Sequence, residues 1–382
     1  MTRVRVLLSA RDPGGAAQVR ALAPTLSADP RAVVTVAASG VAFDALSVAG
    51  ETPVRFALPG GASHVPAGGD RAPLLSAARD LLARVAPDVI VVGISSLGVG
   101  LDEALLACAE CRPTFGLQDY PGDANAIDGA FAGLYFVRDD HAAQLTRARH
   151  GVAALPVGSL RHAAYAAFDV PGLRKAARAR LGAADGRAVV GFFGQPAGIP
   201  GQEQAFRDLV SALAASAGRP LVVLREHPKS PEMRAAHLAA LAAAGLSAHD
   251  ATGTDPIEPW LAACDLVTTC FSHSTMDYAF LDAASPAPLG AVLFLLTAPE
   301  ARAFMCDYAG SELPDGVAQG LGSVALTAGD VGRLVDALLA PEGRRSYHEA
   351  SRRLPRGADI ERIVETVLGA VSARRARGAA SQ

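Results

Sequence analysis

"HAAYAAFDVPGLRKAARARLGAADGR" fills residues 162–187, and "AVVGFFGQ" follows at 188–195. The first stretch has weak strand character and closes on Gly and Asp, so it reads as a linker plus a helix leading into what comes next. The second is a strand again. Ahead of the pair, short apolar runs alternate with helical segments, and behind it the same alternation restarts. That interruption and restart predicts two domains of one kind.

In the first half the strand candidates are "VRVLLSA" (4–10), "AVVTVAAS" (32–39), "PVRFAL" (53–58), "DVIVVGIS" (88–95), "PTFGLQD" (113–119) and "LYFVRD" (134–139). Between several of them lie "AAQVRALAPTL" and "APLLSAARDLLARV", with apolar residues three and four apart. In the second half they are "AVVGFFGQ", "PLVVLREH" (220–227), "LSAHDAT" (246–252), "DLVTTCF" (265–271), "AVLFLLT" (291–297) and "SVALTA" (323–328). Apolar strands without polar alternation, separated by helices, predict parallel sheets covered on both faces. Right-handed crossovers then give two Rossmann-like, doubly wound lobes facing across a cleft. The expected division is 1–161, a linker at 162–187, 188–358, and a final helix with a basic tail at 359–382. That helix can pack back on the first lobe.

Composition sets the class. The 382 residues exceed what one core usually serves; half are hydrophobic and 19% charged, as in a well-buried globular protein. A net charge of −3 gives no reason to expect a nucleic-acid or anionic-membrane partner, and "ARRARGAASQ" at the end reads as a solvated terminus. The opening "MTRVRVLLSARDPGG" is too short an apolar run for an export signal, and "GAVLFLLTAP" is too short to span a bilayer. Five scattered cysteines point to reduced thiols in a cytoplasm. Cys108 and Cys111 form a CxxC inside a helical pattern with no second CxxC, which argues against zinc.

Ligands of such sheets bind beyond the carboxyl ends of strands, which in a two-lobed chain means the cleft. In the first lobe this singles out Asp12, Gly14 and Gly15 in "SARDPGGAAQ", and Ser95 and Ser96 in "GISSLGVGLDEA". It also singles out Asp119, Tyr120, Asp123 and Asn125 in "GLQDYPGDANA". Glycines permit close backbone approach, and Asp119 can take a proton from an acceptor hydroxyl, with Asp12 and His141 as alternatives. Turn chemistry by itself accounts for the same residues.

In the second lobe Gly194 and Gln195 follow a strand, and Arg225, His227 and Lys229 crowd the end of another. Those cations suit a phosphate, and His227 can protonate a leaving group. "FSHSTMDYAF" (271–280) then places Ser272, Ser274, Thr275 and Asp277 ahead of a helix. Ser274 with Asp277 reads as a capping box, and the same helix start presents donors to an anion. No GxSxG elbow or HExxH motif occurs, so neither a serine hydrolase nor a catalytic metal is indicated.

On these residues the chain resembles the GT-B superfamily of glycosyltransferases and nucleotide-sugar-processing enzymes. "HP" at 227–228 followed by "SHST" at 272–275 is similar to the His-Pro and Ser-Ser/Thr pair of bacterial sialyltransferases and CDP-alditol transferases. The resemblance implies that His227, Ser274 and Thr275 hold the donor's phosphate and that Asp277 or Glu258 reaches its ribose. It implies a metal-independent transferase without a tightly bound cofactor, using a nucleotide-activated donor, as in bacterial polysaccharide or natural-product glycosylation. The chain departs from those families in three places. "QDYPGD" stands where an acidic D/E-D/E-G motif is expected, Asp277 where Glu is usual, and Gly158-Ser159-Leu160 where a "GNP"-like turn occurs. A hydrolysing nucleotide-sugar 2-epimerase and a non-catalytic nucleotide- or sugar-binding protein share the same architecture.

Overall fold

The computed structural model describes the whole chain except residues 1–2, 59–63, 67, 95–97, 184–185, 197, 228–229, 255 and 381–382. It divides into two compact units, Met1–Ala163 with Gly357–Gln382, and Ala164–Arg356.

The first unit is built on β1 (Val4–Ala10), β2 (Ala32–Ala38), β3 (Val54–Arg55), β5 (Val89–Gly93), β7 (Thr114–Leu117), β8 (Leu134–Val137) and β9 (Ala154–Pro156). They form one parallel sheet in the order β3-β2-β1-β5-β7-β8-β9. Two short strands, β4 (His64–Val65) and β6 (Val99–Gly100), pair antiparallel beside it. Period-two alternation sorts β1 between the faces: Val6, Leu8 and Ala10 join one buried cluster, whereas Leu7 joins the other. Ser9 and Arg11 fall in register with Leu7, and helix Leu101–Ala107 covers that face.

The other face is closed by the amphipathic helix Pro13–Ala28 and by the last helix, Ile360–Ala380. Ile363, Val364, Val367, Leu368 and Val371 share a cluster with Val19, Leu22 and Leu26, each worth about 1.5–3 kcal/mol on full burial. Asp359 N donates to Val157 O at 2.7 Å, and Arg31 pairs with Glu365 at 2.5 Å.

The second unit has six parallel strands, β10 (Val189–Phe193), β11 (Leu221–Arg225), β12 (Ala248–Asp250), β13 (Leu266–Thr269), β14 (Ala291–Leu295) and β15 (Ser323–Ala325). Their order is β12-β11-β10-β13-β14-β15. Every residue of β10, β11, β13 and β14 is buried, which explains why these strands carry no polar alternation. In both sheets the order of strand addition therefore switches side beside the first strand, at β1/β5 and at β10/β13. Crevices outside the carboxyl ends of strands at such switch points are where open α/β sheets bind ligands.

Two local expectations differ. The segment 53–58 contributes only two paired residues, and β9, hidden in the short run "ALP", had no detectable strand signal. Among the described residues, no helix is long and apolar enough to cross a membrane.

Candidate functional site

In the second unit, β10 ends at Phe193 and the chain turns through Gly194 and Gln195 beside the end of β13. Gln195 is 5% exposed and joins the two loops of the switch point. Its Oε1 accepts from Phe271 N at 2.8 Å, and its backbone N donates to Gln202 Oε1 at 2.5 Å. Beyond Phe271, Ser272 N donates to Thr269 Oγ1 at 3.3 Å, Ser274 Oγ to Ser272 Oγ at 3.0 Å, and Thr275 Oγ1 to Ser272 O at 2.9 Å.

Helix Ser274–Ala284 opens directly on this cluster of hydroxyls. The expected capping box is not formed: the cap position is His273, in right-handed helical conformation and without a side-chain cap bond, and the Ser272 hydroxyl instead accepts from Ser274 N at 3.4 Å. The first turn instead tightens, with Met276 N donating to His273 O at 2.9 Å. Ser274, Thr275 and Asp277 lie inside the helix and are buried.

Arg225, expected at a phosphate, directs Nη1 into its own chain. It donates to Ala251 O at 2.9 Å and also to Thr254 O, so this nitrogen fixes the loop after β12. His227 stands two residues past β11, half-buried, with its carbonyl accepting from Ser230 N at 2.8 Å. Lys229 lies outside the described residues. Glu258 opens helix Glu258–Ala263 and accepts from the Tyr165 hydroxyl at 2.9 Å.

The glycines act differently from expectation. A Cβ on Gly194 would overlap Glu226 Oε2, and one on Gly14 would overlap Asp119 Oδ2. In both units the space is therefore taken by a carboxylate from a neighbouring loop rather than left for a phosphate. Gly15 faces Gly93, where a Cβ would stand 2.9 Å from the Gly15 Cα, so that contact sets helix Pro13–Ala28 close against β5. Glu226 is fully buried; its Oε1 meets His237 Nδ1 at 2.6 Å, and His237 Nε2 lies 3.3 Å from Glu203.

At the carboxyl edge of the first sheet, Asp12 precedes helix Pro13–Ala28, whose N-terminus faces Asp119. Arg161 Nη1 is 3.4 Å from Asp119 Oδ2. Gln118 anchors the following turn, donating to Asp123 O and Thr146 Oγ1 at 2.8 Å each and accepting from Gly122 N at 3.2 Å. Tyr120 and Asn125 are half-buried in that loop, whereas Ser95 and Ser96 lie outside the described residues.

Sequence reasoning missed the acidic pair in "GLDEA". Asp102 and Glu103 are each 1% exposed. Asp102 Oδ1 accepts from Ser9 Oγ at 2.5 Å, while Glu103 Oε2 accepts from Gly100 N at 2.7 Å and Oε1 lies 3.9 Å from Arg11. Asn125 also hydrogen-bonds Glu103. Burial, reinforced by Glu103, pushes the Asp102 carboxyl well above the usual range, with Ser9 and Arg11 opposing; burial also raises Glu103. Two successive acids heading an apolar helix were the available signal. Read alone, it describes ordinary first-turn acids.

Among the described residues, no group of three or more His, Cys, Asp or Glu stands ready to hold a metal ion, and all five cysteines are free.

No family model matches the chain, and no curated protein matches it in sequence. Solved structures do match over its full length. A UDP-GlcNAc 2-epimerase from Neisseria meningitidis, bound to UDP-GlcNAc, superposes with a TM-score of 0.69 at 13% identity, covering 96% of this chain and 100% of that one. MurG from Acinetobacter baumannii gives 0.62 at 12% identity, with 96% and 99% covered. The fold is of the GT-B type. Anabaena HepE, in complex with UDP and glucose, matches at a TM-score of 0.55 and 15% identity over 100% of both chains. At these identities the GT-B likeness is one of fold.

Proposed function

We propose that the chain is an enzyme acting on a nucleotide-activated sugar, and specifically a glycosyltransferase that passes a sugar-like group to an acceptor hydroxyl or other nucleophile. The observation that carries this is the switch point of the second sheet. There Gln195 ties the β10 loop to Phe271, and helix Ser274–Ala284 opens on the hydroxyls of Ser272, Ser274 and Thr275. Hydroxyls at the positive end of a helix suit an anionic group, and fixed dipoles stabilise charge that develops on a leaving phosphate. His227, beyond the neighbouring strand, serves as proton donor to that phosphate.

The names borne by the matching structures support a nucleotide sugar as substrate class. The acceptor side is assigned to the first unit, with Asp119 or Asp12 as base beside Gly14, Gly15, Tyr120 and Asn125. The sialyltransferase-like reading of His227 with 272–275 rests on sequence alone. No tightly bound cofactor and no metal enters the scheme, so a chelator should leave turnover unchanged. Free thiols fit a cytoplasmic protein.

One observation favours a second reading, a hydrolysing nucleotide-sugar 2-epimerase. Asp102 and Glu103 form a buried carboxyl pair; burial raises both, and Asp102, pushed up to about 8, is the type of group that exchanges protons near neutrality.

A thermal-shift panel of UDP, GDP, TDP, CDP and CMP tests the shared premise. The matching nucleotide at 100 times its Kd adds about 2.7 kcal/mol. No shift with any of them refutes a nucleotide-linked substrate. With the matching nucleotide sugar, acceptor-dependent nucleotide release supports the transferase, and epimerised free sugar without acceptor supports the epimerase. Binding without turnover of either kind leaves a binding protein.

A further inference from the structure

We propose that Glu226, clamped by His237, is a positioning residue that sets the turn carrying His227. The proposal rests on the reading of His227 as proton donor, while the clamp itself is made of residues that reading does not use.

Glu226 continues the buried run of β11 by one residue and directly precedes His227. Its side chain has no exposed surface, and Oε1 accepts from Nδ1 of His237, in helix Arg234–Ala243, at 2.6 Å. The imidazole is itself fixed. It stacks on Phe206 with 3.9 Å between centroids, meets Phe192 edge-on at 5.9 Å, and keeps Nε2 3.3 Å from Glu203 Oε1. Three loops are tied at the same point. Glu226 N donates to Thr252 Oγ1 at 3.0 Å, Gly194 N to Arg225 O at 2.8 Å, and Ser230 N to His227 O at 2.8 Å. A Cβ on Gly194 would stand 2.4 Å from Glu226 Oε2, so the carboxylate also lies against the β10 loop.

Packing does not account for a charge at this place. Oε2 is buried and meets no hydrogen-bond donor among the described residues. Buried ionic pairs are often no more stabilising than apolar residues of similar volume, but their directed bonds can specify one arrangement of the chain. The next residue is the one that needs a single arrangement. A general acid must stand about 3 Å from the oxygen it protonates, and a misplacement of about 1 Å can cost 100-fold in rate. His237 thus acts on His227 through the backbone at Glu226.

The test replaces both partners together, Glu226→Leu with His237→Leu, so that neither is left buried and unpaired. His237→Asn is the rescue, because its amide N–H takes the place of Nδ1–H. Stability is read by urea unfolding, and turnover as nucleotide release from the nucleotide sugar that the wild type consumes. In the double variant kcat should fall about 10- to 100-fold at nearly constant KM, with little change in the unfolding midpoint. His237→Asn should bring kcat back to within about threefold of the wild type. If the double variant does not fold, His237→Gln replaces it, since that amide falls at the Nε2 position and leaves Glu226 unheld; kcat should then separate Gln from Asn. Retained kcat with a lowered midpoint marks a purely structural pair and overturns the proposal. If the wild type consumes no nucleotide sugar, the transferase reading has failed, and amide exchange tests the clamp by itself. Exchange at Gly194 and Ser230 should then quicken about tenfold or more in the double variant, with β13 and β14 unchanged. Unaltered exchange at both amides overturns the clamp as well.

Discussion

Asp102→Asn should change how stability depends on pH. Burial and the neighbouring Glu103 push the Asp102 carboxyl from 3.8 up to about 8, so the folded chain keeps a proton that the unfolded chain has released. A raised acid pKa means that this group's contribution is complete below the unfolded value and is lost as pH climbs toward the folded one. In that window the folded state binds one more proton than the unfolded state. The slope is therefore about −1.4 kcal/mol per pH unit from this group. Between pH 5 and pH 7 the wild type should lose about 2.7 kcal/mol that an asparagine, which does not titrate, retains. The substituted amide can still accept from Ser9 through its carbonyl oxygen, so the fold should survive the change. Urea unfolding of both proteins at half-unit intervals from pH 5 to 7 measures the difference, because titrations outside the Asp102–Glu103 pair cancel. Parallel stability curves would show that Asp102 is ionised in the folded protein, and the acid–base argument for the Asp102–Glu103 pair would fall with it.

Two further substitutions test the framework. Asp265 is 3% exposed and receives Arg174 at 2.5 Å, Arg178 at 3.0 Å, Arg344 at 3.0 Å and the backbone N of Val189 at 2.8 Å. Asp265→Ala should lower unfolding free energy by about 3 kcal/mol, since the guanidinium groups and a strand N–H lose their shared acceptor; a loss below about 1 kcal/mol would mean that the carbonyls also bound by Arg174 and Arg178 suffice. Gly93→Ala would put a methyl 2.9 Å from the Gly15 Cα and 3.2 Å from Ser9 O, and backbone cannot move aside as a side chain does. It should cost about 1–3 kcal/mol in chemical denaturation, and an unchanged midpoint would mean that helix Pro13–Ala28 can slide away from β5.

Most of the architecture was legible because parallel strands buried on both faces must be apolar throughout. Each of the six second-lobe strands proposed from runs such as "AVVGFF" and "AVLFLL" is present. β9 escaped because three residues carry no period, and its pairing with β8 supplies the support that its sequence lacks. The candidate site was legible only in position. Gly14 and Gly194 were visible as glycines after strands, yet what fills the space beside them, Asp119 and Glu226, comes from distant loops. The "STMD" stretch satisfied a capping pattern, but the chain enters that helix through His273 in helical conformation, which leaves no cap geometry for Ser274 to use.

By itself, then, the sequence determined the class of fold, since hydrophobic period and length act locally and every strand and helix must satisfy them before it can pack. The roles of individual polar residues were decided only by tertiary structure. Asp102 and Glu103 become a buried pair because helix Leu101–Ala107 lies over the face of β1 that carries Ser9 and Arg11. Gln195 gains a directed amide because β13 runs beside β10 and brings Phe271 N–H to it. Hydrogen bonding and desolvation depend on which atoms lie within about 3 Å, and those neighbours are 76 and 93 residues away in the chain.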